Sequence, residues 1–184
     1  MNARQAAVVQ DTRNWLQRAV IGLNLCPFAK SVLARGQVHF AVSAATGAQE
    51  VLDDLRAELD ALVAMNPSER DTTLLVIPDC LDVFLDFNAL LQQAGRLVRK
   101  RGLDGVIQLA SFHPAYQFEG TEEDDITNCT NRSPWPTLHL LREESIARAV
   151  EAFPDPEAIY GANMETLRKL GPEGWAALQV GRSA

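Results

Sequence analysis

Between residues 37 and 110, short apolar runs alternate with longer segments of helical period, and this alternation constrains the chain most. Gln37 to Ala44 (QVHFAVSA), Thr72 to Ile77 (TTLLVI) and Val106 to Ala110 (VIQLA) have the length and the β-branched or aliphatic content of strands. Between the first two, Val51, Leu52, Leu55, Leu59, Leu62 and Val63 recur on one helical face. Between the second two, Phe84, Phe87, Leu90, Leu91, Leu97 and Val98 do the same. Arg99, Lys100 and Arg101 complement the dipole at the end of that helix, and Gly102 stops it. The β-α-β-α-β path predicts an α/β fold on a small, mostly parallel sheet, because each crossover is long enough for parallel pairing. An α+β ferredoxin-like antiparallel sheet is the alternative. In the parallel arrangement Ser43, Thr46, Asp79, Ser111 and His113 meet at the carboxyl edge, where open α/β sheets bind ligands.

The flanks read as helices. Ala3 to Leu23 is amphipathic, with Val9, Trp15, Leu16, Ala19, Val20 and Leu23 near helical spacing. Leu138 to Phe153 is expected to be helical, with Leu141, Ile146, Ala147 and Val150 inward and Pro154 as the stop. Asp155 then caps a helix running to Gly171, and a short last helix surrounds Trp175 to Leu178. An N-terminal helix and two or three C-terminal helices thus complete one globular domain over residues 1–184, a length that suits a single core.

The segment Phe112 to Glu143 breaks the pattern. Its first two-thirds carry neither strand nor helix period, yet Phe112, Tyr116, Phe118, Ile126, Trp135 and Leu138 anchor it. A long ordered loop in a compact domain is a candidate active-site loop. It holds His113 and His139, the acids Glu119, Glu122, Glu123, Asp124 and Asp125, and the polar run Asn128, Thr130, Asn131, Arg132, Ser133. His113, held by the following Pro114, is the acid–base candidate, since imidazole transfers protons near neutral pH. Arg132 and Arg142 are anion clamps, through the planar guanidinium fork. Asn128, Asn131, Ser133 and His139 are further substrate-binding candidates, helped by the N–H groups of the helix expected after Pro136. For Arg132 the alternative is an ion pair with the loop's own acids. His113, Asp124, Asp125 and His139 are also metal-ligand types, but no compact ligand motif is present.

Outside the loop, Cys26 precedes Pro27. If Pro27 opens a helix, its N–H groups face the sulfur and favour thiolate, which makes Cys26 a second catalytic candidate. The alternative is a small buried apolar cysteine between Leu25 and Phe28. His39, inside a strand, reads as a partly exposed surface residue.

Charge and cysteine content exclude classes. A net charge of −7 argues against nucleic acid, which demands a basic footprint, but not against a small anionic molecule held in a local basic pocket. No apolar run reaches membrane-spanning length, and the first twenty residues lack a secretory signal. Three widely spaced cysteines do not make a disulfide framework and point to the cytoplasm. No phosphate loop, dinucleotide fingerprint or G-x-S-x-G elbow is present, and the sequence names no cofactor. The expectation is a small cytosolic enzyme acting on a small anionic substrate. A non-catalytic ligand- or protein-binding module and a thiol-redox protein using Cys26 are the competing expectations.

LNLCPFA at 23–29, FHPAYQFEG at 112–120, DDITNCTNRSPWPTLHLLRE at 124–143 and IYGANMETLRKLG ending at 171 together resemble domain-of-unknown-function family 1415, small bacterial proteins also found in some plants. The resemblance implies a single domain. It matches the motif at Cys26, His113, Asn128, Asn131, Arg132, Ser133, Pro134, Pro136, His139 and Arg142, and carries no role for any of them.

Overall fold

The computed structural model describes residues 1–152 and 156–183; the expected stop at Pro154 and cap at Asp155 lie outside the described residues. The alternating path folds as expected: β1 (Val38–Val42), α3 (Ala48–Ala64), β2 (Thr72–Val76), α4 (Phe84–Lys100) and β3 (Ile107–Phe112) follow one another. Ahead of them come α1 (Ala3–Trp15), a π-helical turn (Leu16–Ile21) and α2 (Ala29–Ala34). After them come a 3₁₀ turn (Ile126–Thr130), β4 (Thr137–Arg142), α5 (Glu143–Ala152) and α6 (Pro156–Ala177). Gly171, at φ 67°, breaks α6 near its end, where the sequence places a helix boundary.

The α/β class holds, but the sheet is not the mostly parallel one expected: of its three pairings only β1–β2 is parallel. The sheet order is β1-β2-β4-β3; β1 and β2 are parallel, while β4 is antiparallel to both β2 and β3. The three expected strands therefore do run the same way, but β4 is inserted between two of them.

β4 corrects the reading of Leu138 onward as helix. In TLHLLR, Leu138 and Leu140 are fully buried against α3 and α4, while His139 and Leu141 point to the other face. Burying a leucine is worth roughly 1.5–3 kcal/mol, whereas helix propensity discriminates by only about 0.7 kcal/mol per residue. Two buried leucines in a central strand outweigh the local preference. The helix begins at Glu143, where Glu143 and Glu144 suit a positive dipole end. No helix end follows Pro136; its carbonyl accepts from Ile77 N–H at 2.8 Å, extending the sheet.

Each face of the sheet has its own core. Leu75, Ile77, Leu138 and Leu140 pack against Leu55 and Leu59 of α3 and Phe87 and Leu90 of α4. The inward faces of both helices match the sequence pattern, except that Val63 is exposed. On the opposite face Leu74 and Val76 meet Trp15, Leu16, Ala19 and Val20 of the N-terminal helix. That helix starts in a capping box, Asn2 Oδ1 accepting from Gln5 N–H and Gln5 Oε1 accepting from Asn2 N–H. Its regular turns give way to the wider π turn at Leu16. A Cβ at Gly22, just beyond, would run into the Arg18 carbonyl, so this turn requires glycine.

Candidate functional site

The polar residues of the 112–136 loop are used to build the loop. His113 is completely buried against the rings of Phe84 and Phe87 of α4. Ala115 N–H donates to its Nδ1 at 3.0 Å, so the neutral ring carries its proton on Nε2, which donates to the Leu81 carbonyl at 2.9 Å. Burial lowers its pKa from the ordinary 6.5. Both nitrogens are occupied by backbone, and the ring offers a substrate no free valence.

Asn128 is likewise fully buried and saturated. Its Oδ1 accepts from Phe118 N–H at 3.0 Å and lies 2.9 Å from Thr121 Oγ1, whose single proton it shares with the Phe118 carbonyl at 2.8 Å, and its Nδ2 donates to the Glu122 carbonyl at 2.8 Å. Arg132 donates to the carbonyls of Tyr116 and Glu123, Asn131 Nδ2 to that of Ser111, and Ser133 Oγ to that of Trp135. Asp125 caps the 3₁₀ turn through Thr127, and those hydrogen bonds lower its pKa. Asp124 is exposed. Among the described residues no three His, Cys, Asp or Glu side chains gather as a metal-ligand set. His113 faces α4, whereas His139 faces the N-terminal helices across the sheet.

The residues at the expected carboxyl edge are also locally engaged. Ser43 Oγ donates to Asp54 at 2.6 Å, Thr46 bonds Glu50, and Asp79 pairs with Arg4.

The strongest candidate site lies instead on the sheet face under the N-terminal helices. There a cavity of about 540 Å³ opens between the sheet, the segment Trp15 to Arg35 and the first turns of α5. That volume is within the range of small-molecule sites. The register orders its floor into rows. Val38, Thr72 and Leu141 form one row; Leu74, His139 and Ala110 form the next; Phe112 lies one row further, with Trp15 at 5.0 Å.

His139 sits at the middle of this floor in a defined state. Its Nε2 lies 2.7 Å from Thr72 Oγ1, which also lies 2.7 Å from the Leu140 carbonyl. A hydroxyl has one proton, and only the hydroxyl can donate to a carbonyl. Thr72 therefore donates to Leu140 and accepts from His139, which fixes the proton on Nε2. Desolvation pushes the His139 pKa down to about 4, so the ring is neutral at physiological pH. Nδ1 is then a bare acceptor, and it has no hydrogen-bond partner among the described residues.

One end of the cavity is charged. Arg35 precedes β1, Asp71 precedes β2, Arg142 ends β4, and Ser145 and Arg148 belong to α5; the register brings these positions to one sheet edge. At this end the Arg142 guanidinium is turned to the α3 side of the sheet and Arg148 is paired with Glu144, so Arg35 is the cation whose charge faces the cavity, in a chain of net charge −7. Asp71 accepts from Ser145 Oγ at 2.5 Å. Arg142 Nη2 donates to the carbonyls of Leu62, Met65 and Arg70, tying β4 to the end of α3. Its Nε is the one buried side-chain donor without an acceptor among the described residues. Arg35 Nε donates to Gln37 Oε1 at 2.7 Å, while its two terminal nitrogens have no partner among the described residues.

Of the residues singled out from sequence, His139, Arg142 and Cys26 line this cavity; His113, Asn128, Asn131, Arg132 and Ser133 do not. Cys26 is half-buried in the wall, but α2 begins only at Ala29, so Cys26 does not stand at the helix start. Thr72, Arg35 and Arg148 were not anticipated. Strand alternation in TLHLLR, which sets His139 opposite its leucine neighbours, was the one available signal, and it points to a cavity only once the sheet order is known.

A family model described as "Protein of unknown function (DUF1415)" matches residues 7–177. No curated protein and no solved structure matches the chain.

Proposed function

We propose that this chain, which belongs to the DUF1415 family, binds a small organic anion with an apolar body in the cavity floored by His139. The observation that carries this reading is the polarity of the cavity. Trp15, Phe28, Val20, Leu74, Phe112 and Ile146 supply apolar walls, and the guanidinium of Arg35, with that of the Glu144-paired Arg148, stands at one end only. Apolar walls with a few placed polar groups are the usual build of a small-molecule site. A carboxylate at the arginine end would meet the unpartnered nitrogens of Arg35, and hydrogen bonds to charged groups contribute about 1.5–3 kcal/mol. Location in the cytoplasm belongs to the proposal, resting on three free cysteines. Among the described residues no helix is long and apolar enough to cross a membrane.

The test compares 3-phenylpropanoate with 3-phenylpropanamide, its neutral near-isostere, by calorimetry and amide chemical shifts. The acid is expected to bind at least tenfold more tightly and to shift resonances around Arg35, His139 and Arg148. Ala110→Phe, which places a ring on the cavity floor beside His139, should abolish both effects. Equal affinity for acid and amide, or shifts confined to another surface, would contradict the proposal.

A second reading, thiol chemistry, is favoured by one observation: Cys26 borders the same cavity. Cys26→Ser should leave binding of the acid intact if the site is a binding site. Loss of binding in a folded Cys26→Ser protein would favour the thiol.

A further inference from the structure

We infer that the Thr72–His139 pair makes the cavity selective for anions that carry a hydrogen-bond donor at the end remote from their charge. This rests on the anion-binding reading above and deepens it.

Thr72 fixes the state of the imidazole. Because its single proton goes to the Leu140 carbonyl, it can only accept from His139, and the imidazole is locked as the Nε2–H form. The floor of the cavity therefore presents one lone pair, on Nδ1, and the ring has no donor left for a ligand. A second acceptor brought against that lone pair is repelled. An apolar group leaves it desolvated and unpaired, which is costly in a mostly apolar cavity. A hydroxyl or N–H satisfies it. Sites built around a buried polar group reject analogues that lack the complementary group far more strongly than they reject a change of size.

Position then sets the shape of the ligand. His139 and Leu141 are two residues apart on the cavity face of β4, about 7 Å at the strand rise of about 3.3 Å per residue, and Arg35 lies beyond the row of Leu141, Thr72 and Val38. Thr72 and Leu141 lie in the row between His139 and the charged end. A carboxylate at Arg35 thus places the far end of a molecule roughly 7–10 Å long beside His139. The fitting class is an elongated apolar carboxylate with a terminal hydroxyl or amine, an arrangement that a 4-hydroxyaryl alkanoate provides.

The experiment measures calorimetric affinities of the full chain for 3-(4-hydroxyphenyl)propanoate, 3-(4-methoxyphenyl)propanoate and 3-phenylpropanoate, with 3-phenylpropanamide as the neutral control. The hydroxylated acid is expected to bind at least tenfold more tightly than the methoxy compound, and more tightly than the unsubstituted acid. His139→Phe should remove the preference for hydroxyl over methoxy while keeping the preference for acid over amide. Thr72→Val, which keeps the side-chain shape and frees the tautomer, should reduce the hydroxyl preference at least threefold even if His139→Phe fails to fold. If the acids bind better than the amide but hydroxyl and methoxy compounds bind alike, the inference falls and the anion site stands. If no acid binds better than the amide, or no probe binds, both fall.

Discussion

The loop from Phe112 to Pro136 and the cavity floor beside it are both rich in polar side chains, and they differ in what those side chains leave unused. In the loop, His113 and Asn128 have every acceptor and donor bonded to backbone or to Thr121. Arg132 and Ser133 likewise donate to loop carbonyls, and Asn131 to that of Ser111 at the end of β3. On the cavity side, His139 keeps a bare Nδ1 and Arg35 keeps two terminal nitrogens. Polar density marks a well-built loop as readily as a site. Unsatisfied valence facing a cavity distinguishes the two.

The largest effect that separates the regions is expected at Asn128. Asn128→Ala removes three close hydrogen bonds and leaves buried backbone groups unpaired, which should lower stability by about 3 kcal/mol or more in urea unfolding. A loss below about 1 kcal/mol would show that the loop does not depend on this hub.

Acid should act on the cavity side next. The unfolded imidazole of His139 takes its proton near 6.5, and the folded one near about 4. Between those values the unfolded chain holds more protons, so stability falls as pH drops through that window and levels off below it. The magnitude is roughly 3 kcal/mol. His113, whose pKa is also lowered, adds in the same direction. His139→Phe should flatten the His139 part of this dependence, leaving that of His113; an unchanged profile would mean that His139 titrates alike in both states.

Gly22→Ala should cost about 1–3 kcal/mol, because the added methyl meets the Arg18 carbonyl at the π turn whose Leu16 and Val20 wall the cavity. Thermal unfolding would measure the loss, and amide shifts of Leu16 to Ile21 would report the turn. The smallest effect on stability is expected from Arg35→Ala. The residue is exposed, so stability should change by less than about 0.5 kcal/mol while affinity for 3-phenylpropanoate falls about tenfold. Unaltered affinity would detach Arg35 from the site.

Much of the fold was legible because the strands β1 to β3 and helices α3 and α4 carry unmixed periods, and each is satisfied by its own local pattern. β4 was not, because a run rich in leucine suits a helix equally well until two neighbouring strands bury it. That one substitution of strand for helix also moved the site. As a helix start, residues after Pro136 would have turned N–H groups toward Arg132. As a strand, they turn His139 toward Thr72, a residue 67 positions away. Cys26, His139 and Arg142 could be named from residue type, but their shared cavity depends on the sheet order. The family motif residues His113, Asn128 and Arg132 were equally visible, and nothing in a sequence tells a saturated histidine from an open one.

The central claim is most directly tested by long-range ¹H–¹⁵N correlation spectra of the histidine rings, recorded from pH 7.5 down to 3.5. The account predicts that His139 shows the neutral Nε2–H pattern with a bare Nδ1 and protonates only near about 4. It also predicts that 3-(4-hydroxyphenyl)propanoate shifts that Nδ1 resonance. An Nδ1–H ring, or a titration midpoint near the ordinary 6.5, would contradict it.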